Sequence, residues 1–184
     1  LYYFAMTAPS GRSTHTRAAL ASLLWGGHSD EEARSNLRKA IQLLRQHVEP
    51  YLAIARESIG FRADQRYWVD AIEFATQLAT VRTSADPNQL QQALALYRGD
   101  FLEGFYVREA PEFESWMLAE RARLRELLVQ GLETLAVRYA SQGDLPQAIA
   151  TARRLLEMEP WREESHRQLM EWLALNGQRS AALA

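Results

Sequence analysis

The sequence predicts a mainly helical protein with one small β-hairpin. Three observations carry that expectation. Apolar residues recur at three- and four-residue steps between N-capping residues and Gly or Pro stops. One short stretch, 52–69, alternates apolar with polar residues instead. From Leu135 onward the chain repeats itself at a fixed offset.

Leu1-Tyr2-Tyr3-Phe4-Ala5-Met6 is an apolar run with no N-cap before it. It reads as the back of a helix whose beginning is missing, so the chain is expected to be a piece of something longer. Thr7 to Ser13 is a Pro/Gly/Ser loop, and Thr14 is the expected N-cap of a helix over 14–25. Ala18, Leu20, Ala21, Leu23 and Leu24 form its apolar side, and Gly26-Gly27-His28 stops it. Ser29 with Glu32 spells a capping box, opening a helix over 30–49 that Pro50 ends. Its buried stripe is Ala33, Leu37, Ile41 with Ala40, Leu44 and Val48.

Leu52 and Ile54, Ile59 and Phe61, then Tyr67 and Val69 read as three short strands, the first two a hairpin. Asp70 with Glu73 suggests a second capping box and a helix over 70–83. Ser84-Ala85-Asp86-Pro87 is the expected boundary between a domain at 1–85 and one at 86–184. Beyond it helices are expected over 88–98, 111–141, 145–158 and 161–175, with an aromatic loop at Phe101-Leu102-Glu103-Gly104-Phe105. Leu135, Ala136, Tyr139, Gly143 and Ala148 recur 34 residues later as Leu169, Met170, Leu173, Gly177 and Ala182. With Ala152, Leu155 and Pro160, they fit the helix-turn-helix unit of a tetratricopeptide repeat. That pattern speaks for a fold and names no partner.

Composition removes several classes of function. No cysteine is present, which excludes disulfide scaffolds, thiolate zinc sites and thiol nucleophiles. Apolar stretches are too short and too charged to span a bilayer, so no membrane partner is expected and the expected location is cytoplasmic. His15, His28, His47 and His166 are scattered without ligand spacing, and no GxSxG, P-loop or GxGxxG occurs. No catalytic residue, metal or cofactor is expected. Trp116, Trp161 and Trp172 sit at helical positions among Leu and Met and read as core residues.

Charge points elsewhere. Twenty of the 21 basic residues are Arg, whose planar forks suit phosphate and base edges. Residues 1–85 hold ten basic and eight acidic residues, a net of +2, whereas 86–184 hold eleven and fifteen, a net of −4. The basic half carries, in order, a helix, a four-residue turn, a longer helix and a hairpin. That order describes a winged helix-turn-helix, whose second helix enters the major groove of DNA. With the apolar stripe inward, the 30–49 helix presents Ser35, Arg38, Lys39, Gln42 and Arg45 outward, with Arg34 and Asn36 at the edges. Arg suits guanine edges or phosphates, while Asn and Gln suit adenine. Arg12, Arg17, Arg56, Arg62 and Arg66 flank this helix and suit backbone phosphates. Any surface helix exposes such residues; helix order, hairpin and basic face together favour DNA. Asp30, Glu31 and Glu32 oppose it, unless that first turn faces protein.

Several segments resemble a known family. Trp25, Ala33-Arg34-Ser35-Asn36-Leu37-Arg38-Lys39-Ala40 and Leu44-Arg45 are similar to the winged helix of the Streptomyces antibiotic regulatory protein family. Asp70 with Phe74, and Ala93-Leu94-Ala95-Leu96-Tyr97-Arg98-Gly99-Asp100-Phe101-Leu102, resemble the junction into its bacterial transcriptional activator domain. So do Phe113-Glu114-Ser115-Trp116, Glu120-Arg121-Ala122-Arg123-Leu124 and Ala152-Arg153-Arg154-Leu155-Leu156. The resemblance implies a DNA-binding transcriptional activator with a response-regulator-type winged helix reading promoter repeats in double-stranded DNA. It implies a tetratricopeptide-like domain for homodimerisation, regulation or contact with RNA polymerase or other transcription machinery. The family's winged helix opens with an N-terminal sheet and a complete first helix; here the sheet is expected to be missing and the helix cut. The alternative, motivated by the acid-rich repeat half, is a protein-interaction scaffold segment of a larger signalling protein that does not read DNA.

Overall fold

A computed structural model of the chain describes residues 1–10, 13–81 and 86–182; Arg12 and the Ser84-Ala85 part of the expected boundary lie outside these. The chain forms two compact units, Leu1–Ile72 with Phe101–Glu120, and Glu73–Asp100 with Arg121–Ala184.

The first unit begins with α1 (Tyr2–Thr7) and a 3-10 turn, followed by β1 (Thr14–Thr16), α2 (Arg17–Trp25) and α3 (Asp30–Val48). A second 3-10 turn leads into β2 (Leu52–Ile54) and β3 (Ser58–Phe61). The hairpin is present, but the third strand is Thr14–Thr16 rather than 67–69. Strand order is β1-β3-β2, all antiparallel, with Thr14 opposite Gly60 and Leu52 opposite Phe61. A Cβ on Gly60 would stand 2.9 Å from Thr14 Oγ1 and 3.0 Å from the Ser13 carbonyl, so glycine is what lets β1 lie this close. Both edges of β3 are thereby filled, and Tyr67 instead lays its ring edge-on against Phe61 at 4.8 Å. The alternation at 67–69 reflects packing on one side, not a ladder.

Because Thr14 is in a strand, the cap of α2 moves two residues on: Thr16 Oγ1 accepts from the Ala19 N–H at 3.2 Å. The capping box of α3 forms as expected. Ser29 Oγ accepts from the Glu32 N–H at 3.4 Å, and Glu32 Oε2 accepts from the Ser29 N–H at 3.1 Å. Phe4, Leu20, Ala33, Leu37, Ile41, Leu52, Ile59 and Phe61 form the buried core, with Leu44 and Val48 at its margin. At about 1.5–3 kcal/mol per large apolar side chain buried, this core fixes which face of α3 points out. Phe113 and Met117 also bury in this unit, where the Trp116 ring contacts Tyr3, Phe101 and Phe113 at 4.9, 5.8 and 5.2 Å.

The second unit is helical: α4 (Asp70–Val81, from Glu73 on), α5 (Pro87–Leu94), α6 (Pro111–Ser141, from Arg121 on), α7 (Leu145–Met158), α8 (Glu163–Leu175) and α9 (Arg179–Ala182). At the start of α4, Asp70 accepts from the Ala71 N–H at 2.8 Å, and Glu73 accepts from the Gln77 amide at 2.7 Å rather than reaching back. Asp86 caps α5 through the Asn88 N–H at 2.9 Å. The helix expected over 88–98 stops at Leu94, where Leu96 and Tyr97 bond carbonyls three residues back and tighten the chain into a turn. Phe74, Leu78, Leu90, Leu94, Leu128, Leu132 and Leu155 are its fully buried anchors. A Cβ on Gly131 would come within 2.6 Å of Leu94 Cδ2, so that glycine lets α6 and α5 touch.

The repeat is visible in the backbone. Gly143 and Gly177 both sit at positive φ, +81° and +78°. Gln142 and Asp144 donate to the Arg138 and Tyr139 carbonyls at 3.1 and 2.9 Å. Thirty-four residues on, Asn176 and Gln178 donate to the Trp172 and Leu173 carbonyls at 2.9 and 2.8 Å. Burial departs from the repeat: Ala136 is buried, whereas its counterpart Met170 is 48% exposed. Trp172 is a core residue as expected; Trp161, 88% exposed, is not.

Candidate nucleic-acid interface

The cap and the apolar stripe together decide what α3 shows to solvent. Arg34, Arg38, Lys39, Gln42 and Arg45 are exposed, while Ser35 and Asn36 are half-buried. Arg34, Arg38, Gln42 and Arg45 follow one another at three- and four-residue steps and so form one stripe. Two open hollows border it. Arg17, Arg38, Ile41, Gln42 and Arg45 line one of about 410 Å³. Arg17, Ala18, Arg34, Leu37, Arg38 and Glu57 line the other, of about 560 Å³.

The predicted residues therefore separate into groups. Arg34, Arg38, Gln42 and Arg45 are brought together beside Arg17. Ser35, Asn36 and Lys39 border neither hollow; at 100° per residue Asn36 lies about 160° around the helix from Arg38. Arg56 stands in the β2–β3 turn, 96% exposed in its side chain and 3.5 Å from Glu57. Arg17 bordered this helix in sequence only as one flanking arginine among five. No local signal in the sequence marks that place: the Thr16 cap makes Arg17 the first residue of α2, and only the packing of α2 on α3 sets it beside Arg38.

The electrostatics of the stripe are uneven. Arg34 Nη2 lies 3.8 Å from Asp30 Oδ2, one turn earlier, in an exposed pair. No ion pair involves Arg38, Lys39 or Arg45 among the described residues. Glu32 is occupied by Ser29, whose side-chain and backbone hydrogen bonds hold its carboxyl below the ordinary value. That ties one of the three opening acids to the helix cap. The positive end of the helix dipole favours acids in this first turn, independently of any ligand.

The other candidate chemistry resolves into local structure. His15 Nε2 bonds Thr7 at 2.9 Å and His166 Nε2 lies 2.9 Å from the Pro160 carbonyl. His28 Nε2 stands 3.5 Å from Glu109. Among the described residues no group of three His, Asp or Glu side chains is placed to hold a metal, and no helix is long and apolar enough to cross a membrane.

A search of the curated proteins found no match. The family model described as the bacterial transcriptional activator domain matches residues 69–184. That domain is regulatory rather than catalytic, and its match covers all of the second unit, repeat turns included. The chain thus belongs to the bacterial transcriptional activator domain family.

Proposed function

We propose that this chain is a DNA-binding transcriptional activator of the Streptomyces antibiotic regulatory protein type, acting without chemistry of its own. In this reading 1–85 is a winged helix-turn-helix: α2, the turn 26–29 and α3 form the helix pair, and β2–β3 is the wing. Residues 86–184 are the activator domain. Arg38, Gln42 and Arg45, with Arg34, Ser35 and Lys39 around them, meet double-stranded promoter DNA, Asn36 lies on another face of the helix, and Arg56 in the wing meets the DNA backbone. The observation that carries the reading is the stripe Arg34–Arg38–Gln42–Arg45 on a helix whose opposite face is locked into a core. Arg38 and Arg45, which have no ion pair among the described residues, suit bidentate contacts to guanine and to phosphate.

Duplex binding by fluorescence anisotropy across a salt series tests it, on wild type beside the Arg38→Ala/Lys39→Ala/Arg45→Ala variant. Affinity should fall with salt at a log–log slope of roughly −0.9 per phosphate contacted, and the variant should lose at least ~100-fold. Duplex affinity that is equal in the two proteins, or absent in wild type, would sink the reading.

A second reading has its own observation. Trp161, Met170 and Leu175 stand exposed in the second unit, on a family domain named for activation. They favour a protein partner there, either transcription machinery or a second copy of the chain. Should duplex binding fail, the scaffold reading takes over.

A further inference from the structure

We propose that Arg17 is a positioning residue for DNA binding: it ties the β2–β3 turn to the start of α2, and so fixes the wing beside α3. The inference rests on the DNA reading above and assigns within it a role other than phosphate contact.

Arg17 meets the turn in two ways. Its backbone N–H donates to the Glu57 carbonyl at 3.0 Å. Its guanidinium forks onto one acceptor, with Nε and Nη2 donating to the Ala55 carbonyl at 3.3 and 3.0 Å. Inside the turn the Ala55 N–H donates to the Ser58 carbonyl at 2.9 Å, so the Ala55 carbonyl and amide join the turn to α2 and to itself. Arg56, between the two anchored carbonyls, has no contact with the core that would hold it in place. Thr16 capping sets the direction of the Arg17 backbone, and Gly60 lets the strand before it lie against β3. Arg17 also borders both hollows along the α3 stripe. One side chain thus touches the wing and stands next to Arg38, and the distance between those two parts is what a duplex would sense.

A tether and a phosphate contact respond differently to charge. Arg17→Gln removes the charge but keeps an N–H donor at the depth of Nε; Arg17→Met removes both. If Arg17 acts as a tether, Gln should stay within about twofold of wild-type duplex affinity while Met weakens it about five- to tenfold, the scale of one ordinary hydrogen bond lost. If it acts as a charge, the two fall together and each lowers the salt slope by about one phosphate, which overturns the proposal.

Amide exchange of the DNA-free chain gives a second readout. In Arg17→Met the Ala55 amide should exchange at least about fivefold faster, with the amides of α3 unchanged. Unchanged Ala55 exchange overturns the tether whatever DNA does. Faster exchange in a chain whose wild type binds no duplex leaves the tether in place and overturns its role in DNA binding.

Discussion

Arginine plays opposite parts in the two units. In the second, arginines join helices. Arg125 donates to Glu159 at 3.1 Å and to the Met158 carbonyl at 2.7 Å, tying α6 to the end of α7. Arg162, before α8, reaches Glu126 and Glu133 on α6, and Arg167 holds Glu164 one turn away. In the first unit the arginines of α3 line an open face, and Arg38 and Arg45 have no acid among the described residues. The difference lies in particular side chains: Arg125, Arg162 and Arg167 meet carboxylates, whereas Arg38 and Arg45 meet none among the described residues.

That contrast can be broken at several points. The largest expected effect is Arg38→Ala, which should cost ~1–3 kcal/mol of duplex affinity and leave the melting temperature unchanged. Unchanged affinity and sequence preference would remove Arg38 from the interface. Next is Arg162→Ala, which strips two carboxylates of their partner and should lower stability by ~1 kcal/mol, since the three side chains are partly exposed. Its duplex affinity should match wild type; a loss there would mean that the stitching arginines also serve binding.

Asp30→Asn frees Arg34 and takes a negative charge off the face, so duplex binding should tighten about two- to threefold at low salt and converge with wild type at high salt. Weaker binding would show that the Asp30 pair holds Arg34 in a productive pose.

A last test concerns the cap of α3 and reads stability rather than duplex binding. Glu32 has its carboxyl lowered by Ser29, so its stabilising share is fully present above the unfolded-state value and is lost as pH falls through the lowered folded-state value. Ser29→Ala should cost about 0.5–2 kcal/mol at neutral pH and flatten that acid dependence. Equal acid dependence in both proteins would show that the box is not what Glu32 senses.

What the residues told in advance follows physical range. Helix starts at Asp30, Pro111 and Leu145 were legible because caps and proline act within one turn. The two glycine turns were legible because a positive φ is a local demand. The strand at Thr14–Thr16 was not, since only its partner Gly60, far along the chain, makes it a strand. Tyr67 and Val69 alternate like a strand, yet the edge they would need is already filled. Trp161 carries no mark that separates it from Trp172, because exposure depends on which helix lies alongside. For the candidate interface, the exposed face of α3 was written in its periodicity; that Arg17 stands beside Arg38 and holds the hairpin turn required the fold.

The paired turns at Gly143 and Gly177 bear on how the second unit changes over time. Because each turn closes on carbonyls four to five residues behind it, the bend is made without help from distant sequence. A helical hairpin of this kind is a module that can be added, lost or altered with consequences mainly for its immediate neighbours. Selection is then free to work on the residues that project from the hairpins, at positions such as Met170 and Leu175, while the hinges between them stay fixed. The second unit can vary its surface without relearning how to fold.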